Sequence, residues 1–198
     1  MNFWQLVRYI KADGCNLRLY NKEELKLAQC PGTFDISKNN NPIISLTIKG
    51  HSQVELMQLL LHEYAHFLQW KSGFLHKLEG ENLKLGWDVL EKWLQKTKKY
   101  TEEELKWARD AVVLIEYDAD LRVLELSKQL GIDIGSHKDY MASSYSYITL
   151  LKWAAKHRKW DGPPDGSFFS GKLRTPQEIL AEITPEEEQI LNEFLGEE

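Results

Sequence analysis

Cysteine is scarce in this chain: Cys15 and Cys30 are the two in 198 residues. Two thiols so widely spaced exclude a disulfide framework, and a thiolate zinc site would show its cysteines two or three residues apart. Both are expected to be reduced. Long apolar runs are missing as well. No stretch approaches the 18 residues of a membrane-spanning helix, so no membrane association is expected. Asn2-Phe3-Trp4-Gln5 lacks a basic flank, and Lys11 and Asp13 soon interrupt the apolar residues, so no secretory signal is read there and the expected compartment is the cytoplasm. Positive charge is not in excess either. A net charge of -5 argues against a nucleic-acid partner gripped through its phosphates. Repeats and low-complexity segments are lacking. What the chain does have is aromatic residues, seven of them tryptophan, with 42% apolar and 28% charged residues. That composition describes one globular domain, residues 1–198, able to bury a core.

The order of patterns predicts an α+β protein, mainly helical, with a small antiparallel sheet near the N-terminus. Residues 1–22 alternate unevenly and end at the Asp13-Gly14 turn. Leu17–Tyr20, Thr33–Ile36 and Ile43–Ile48 alternate as strands do, and Glu23–Ala28 suits one or two helical turns. Residues 1–50 thus form the sheet region, and the strand Ile43–Ile48, ending just before the helix at 52–71, is expected to offer an edge to an extended peptide. Residues 52–160 form a helical core, with helices expected at about 52–71, 87–96, 101–130 and 139–159. Residues 161–198 carry two short helices. The starts are marked chemically. Ser52 with Glu55, Thr101 with Glu104, Thr175 with Glu178 and Thr184 with Glu187 are capping boxes, the last two with proline at the first helical position.

Inside the helix at 52–71 stands His62-Glu63-Tyr64-Ala65-His66. Residues four apart share a helical face, so both imidazoles can reach one metal ion. Glu63 directly follows the first of them, and its carboxylate can stand beside the metal and a water bound to it. Two imidazoles for zinc and a glutamate to take the water's proton are the parts of metal-assisted hydrolysis.

Such a site needs a third protein ligand if one position is to stay open for water. No histidine stands six residues past His66, where Ser72 is found. His76, in a glycine-flanked loop, is one alternative. Glu116 is the other and the preferred one: in Val112-Val113-Leu114-Ile115-Glu116-Tyr117-Asp118-Ala119-Asp120, acids occupy a stretch that should be apolar. A buried carboxylate needs a partner, and a metal supplies one. Asp120 lies one turn after Glu116, in phase to accept the free ring N–H of a ligand histidine and fix its tautomer. Asp118 is out of that phase.

Leu60-Leu61-His62-Glu63-Tyr64-Ala65-His66-Phe67-Leu68-Gln69-Trp70, paired with Glu-x-x-x-Asp on a later helix, resembles the glutamate-ligated zinc peptidases. The closer likeness is to the ImmA/IrrE-like metallopeptidases of phage and bacteria. The resemblance implies a zincin-like metallopeptidase fold, Zn2+ as cofactor, His62, His66 and Glu116 as ligands, Glu63 as general base and Asp120 as the supporting acid. It departs in placing Glu116 fifty positions after His66, and no helix-turn-helix segment accompanies it. The expected reaction is hydrolysis of a peptide bond in a specific intracellular peptide or protein substrate. The donor for the oxyanion would come from the group around Tyr140, Tyr145, Tyr147, His137 and His157, with Tyr145 and His157 preferred. The competing expectation is a regulatory or binding protein on a peptidase scaffold with little or no turnover. Oligomeric state is left open by these patterns.

Overall fold

A computed structural model describes residues 1–21, 30–37, 40–75, 85–160, 169 and 173–196. The expected turns at 23–28 and the loop holding His76 lie outside these residues. In order, the elements are α1 (Phe3–Ala12), β1 (Asn16–Tyr20), β2 (Gly32–Ile36), β3 (Pro42–Thr47), α2 (Gln53–Lys71), α3 (Leu85–Leu94), α4 (Glu102–Leu130), α5 (His137–His157), α6 (Pro176–Leu180) and α7 (Pro185–Leu195). Among the described residues no helix is long and apolar enough to cross a membrane.

The chain divides into two compact units. The first comprises Met1–Phe74 and Ala119–His137. Its α1 was not anticipated from the uneven alternation of residues 1–22. Yet Asn2 caps it, accepting from the Gln5 amide at 3.0 Å while Gln5 Oε1 accepts from the Asn2 amide at 2.8 Å. Phe3, Leu6, Val7 and Ile10, a helical stripe, are buried.

The sheet is mixed, which corrects the expectation of an antiparallel one. Its order is β1-β3-β2: β1 pairs with β3 in parallel, Asn16 opposite Ile43 and Tyr20 opposite Thr47, while β2 pairs with β3 antiparallel, Gly32 opposite Leu46 and Ile36 opposite Pro42. β2 and β3 are close in sequence and pair antiparallel, and β1 takes the remaining side of β3 in parallel. The most apolar strand therefore sits in the centre, with Ile44 and Leu46 fully buried. For the same reason β3 offers no outer edge to a peptide.

α2 opens at Ser52, whose hydroxyl accepts from the Glu55 amide at 3.2 Å while Glu55 returns a 2.6 Å bond to the Ser52 amide. Alanine at Ser52 is expected to cost about 1 kcal/mol of stability, read as a lower urea midpoint at unchanged slope; an unchanged midpoint would show the cap to be idle. Further along, the Tyr64 hydroxyl donates to Asp13 Oδ2 at 2.9 Å and Lys71 pairs with Asp13 Oδ1 at 2.6 Å, fixing α2 against the turn after α1. Burial first, then the Asp13 carboxylate, push the Tyr64 phenol far above its ordinary range, so it stays a neutral donor. Gln58 Nε2 donates to the Ile134 carbonyl at 2.8 Å, and the terminal ammonium to the Gly131 carbonyl at 3.1 Å. These bonds tie the 119–137 segment into the first unit. Cys15 is buried and Cys30 half-buried, both free thiols; burial pushes the Cys15 thiol up to about 12.

The second unit comprises Leu75–Asp118 and Lys138–Glu198. Leu90, Ala108, Val112 and Leu151 form one core cluster, and Leu150, Trp153, Ala154 and Leu191 another. Both C-terminal helices begin with the expected capping boxes, Thr175 with Glu178 and Thr184 with Glu187. The division of the chain falls inside α4, between Asp118 and Ala119, and the helix itself is unbroken there.

Candidate metal centre

His62 and His66 lie in the middle of α2, where the backbone ladder is complete and each ring is carried on a rigid support. Their planes are nearly perpendicular, at 87°, with centroids 4.7 Å apart. Each ring is held by its Nδ1. For His62 the acceptor is Asp120 Oδ1 at 2.9 Å, and for His66 it is Gln69 Oε1, also at 2.9 Å. A carboxylate and an amide oxygen can only accept, so both rings carry their proton on Nδ1 and have an unprotonated Nε2. The two Nε2 atoms stand 3.1 Å apart. Lone pairs facing each other at that distance repel unless a cation lies between them. Two zinc–nitrogen bonds of 2.0–2.1 Å at a tetrahedral angle put their nitrogens about 3.3 Å apart, so the donor geometry fits a metal ion.

The third member is Glu116. One ligand atom from each of His62, His66 and Glu116 lies within 4.8 Å of the others, and the group can hold a metal ion. Helix α4 explains why a carboxylate arrives there. Asp120 is fixed to His62 within the first unit, and Glu116 precedes it by one turn of the same unbroken helix, on the same face. The acids are deeply placed, Glu116 at 5% exposure, Asp120 at 4% and Glu63 at 6%, so none of them is a solvated surface charge.

Gln69 supports the second imidazole, a role its position in the sequence does not announce. It is fully buried three residues after His66, and a buried amide requires partners. The i,i+3 spacing from a ligand histidine was the available signal, but a lone glutamine on a helix reads equally well as surface. Asp120, by contrast, was visible from its phase with Glu116. Replacing it by Asn is expected to weaken metal binding about 10- to 100-fold, measured by chelator competition. Unchanged affinity would show that the His62 ring needs no help in orientation.

Tyr145 and His157 lie on α5 in the second unit, each with a partner there. The Tyr145 hydroxyl donates to Glu187, and the Arg174 guanidinium covers its ring at 3.5 Å. Burial, aided by Glu187, pushes that phenol up to about 12. His157 Nε2 bonds Glu188 Oε1 at 2.6 Å, with the imidazole stacked on Trp153. Neither side chain belongs to the His62, His66 and Glu116 group.

Comparison of the chain with known protein families, with curated proteins and with solved structures gives no match.

Proposed function

We propose that this protein is a zinc-dependent peptidase with a zincin-like site, acting on a peptide or protein substrate. The observation that carries the reading is the grouping of His62, His66 and Glu116 ligand atoms within 4.8 Å, with both imidazoles oriented through Nδ1 by Asp120 and Gln69 and the buried Glu63 next in sequence to His62. Among the described residues this group has three protein ligands, which leaves a tetrahedral ion one position for water. A closed structural site would have four.

A zinc ion held there would supply a polarised carbonyl and an acidified water. The remaining work falls to the chain. Glu63 accepts the water's proton during attack on the carbonyl carbon and returns it to the leaving amine. Asp120 and Gln69 hold the two imidazoles in their donor tautomer throughout. Extended substrate would align on β2 rather than β3: among the described residues β2 pairs with β3 alone, and its first residue, Gly32, lies against α2 beside Glu63. Addition of a strand to that edge would bring a peptide toward Glu63.

The decisive measurement is metal analysis of the purified protein together with cleavage of a peptide library by holo and chelated protein. About one zinc per chain and cleavage that chelation abolishes support the proposal. Zinc without cleavage would favour the binding-protein reading, and a protein that takes up no metal would remove both.

A further inference from the structure

We propose that Gly32 is a positioning residue for Glu63: its missing side chain lets the Glu63 carboxylate stand against the first residue of β2. This inference rests on the peptidase reading and extends it to a residue outside the His-Glu-x-x-His motif. Gly32 opens β2, a place where a glycine loses more chain entropy than other residues and packs nothing. The usual reason for one, a positive φ, does not apply to Gly32, which is absent from the positive-φ glycines of the chain. Close approach is what remains. A β-carbon added there would come within 2.8 Å of Leu59 Cδ1, 2.9 Å of Leu46 Cδ2 and 3.0 Å of Glu63 Oε1.

The strand has little room to retreat from that crowding. The Pro31 carbonyl accepts from both the Thr47 amide, at 2.8 Å, and the Thr47 hydroxyl, at 3.1 Å. The Gly32 carbonyl accepts from Cys30 Sγ at 2.9 Å, and Gly32 is paired in register with Leu46. Thr47 and Leu46 are themselves fully buried. The helix side must therefore give way. Leu59 is half-buried, whereas Glu63 is 6% exposed. A methyl group at Gly32 would displace the Glu63 carboxylate from the position it holds against the start of β2. The flexible side-chain ends absorb the contact, so the protein still folds and both histidines still bind metal.

The test uses full-length Gly32→Ala loaded with cobalt in place of zinc. It is expected to take up one cobalt per chain, as the parent does, and to shift the visible absorption bands toward those of Glu63→Gln. With zinc, kcat should fall about 10²-fold at nearly unchanged KM, the scale of an ångström's misplacement of a catalytic group. Adding Leu59→Ala to Gly32→Ala gives the new methyl group room on the packing side. It should recover thermal stability but not kcat. A Gly32→Ala protein with the parent's spectrum overturns the role of Gly32, and so does recovery of kcat by Leu59→Ala. A parent that takes up no cobalt overturns both this inference and the peptidase reading. If the parent binds cobalt but cleaves nothing, the peptidase reading falls by itself and the spectra alone decide Gly32.

Discussion

Glu63→Gln is expected to slow peptide hydrolysis about 10³-fold while leaving the metal in place. Gln has nearly the shape of Glu, and at 6% exposure the site around Glu63 tolerates an amide better than a charge of the opposite sign. The histidines and Glu116, which hold the ion, are untouched. What disappears is the acceptor for a proton during attack. A positioned general base contributes about 10²- to 10⁴-fold, so kcat should drop by about 10³ with zinc stoichiometry preserved. Glu116→Ala should show the opposite order of loss: the metal goes first, and activity returns partly as zinc concentration is raised. Hydrolysis by Glu63→Gln within tenfold of the parent would remove Glu63 from the mechanism, whatever the ion does. Retention of zinc by Glu116→Ala with the parent's affinity would transfer the third-ligand role elsewhere, with His76 first in line.

The features that could be read from the chain are those whose cause is local. Ser52 with Glu55 announces its helix within four residues, and the same holds for Thr175 and Thr184; all three boxes are present in the structure. His62 and His66 follow from the period of the helix alone. Glu116 and Asp120 could be read because acids on a helix that must be buried require an explanation, and their spacing put both on one face. The pairing of strands was beyond reach because it is settled by competition among distant segments. Residues 42–47 take the central place because Ile44 and Leu46 can be fully buried there, and the parallel partner comes from twenty-odd residues upstream. α1 is a different kind of miss. Asn2 with Gln5 and the stripe Phe3, Leu6, Val7, Ile10 carry the helical signal, but the exposed Trp4 and Tyr9 fill the gaps in that stripe and blur it. Gln69 was hidden for want of any local irregularity.

Lys152→Met is expected to make stability less dependent on alkaline pH, with the variant gaining most near neutrality. Lys152 is 3% exposed on α5, and its Nζ donates to the Ala181 carbonyl at 2.8 Å. Burial, only partly offset by Glu187 and Glu182 and reinforced by Arg109 and Arg174, pulls its pKa down from 10.5 to about 8. A lowered folded-state value means that the unfolded chain binds more protons between those two limits. Stability therefore rises as pH rises from about 8 toward 10.5, and below 8 the full penalty of a buried charge is present. A shift of that size corresponds to about 3 kcal/mol. Methionine fills similar space without a charge, but it leaves the Ala181 carbonyl without its donor, a loss of about 1 kcal/mol. The variant should accordingly be more stable than the parent at pH 7 and slightly less stable at pH 10.5. Urea unfolding of both proteins at the two pH values gives the answer, because every other titrating group contributes nearly equally to parent and variant. A stability difference that stays constant with pH would show that Lys152 keeps its proton in the fold as readily as in water. The low-dielectric setting of α5 would then have to be abandoned as the reason for its displaced titration.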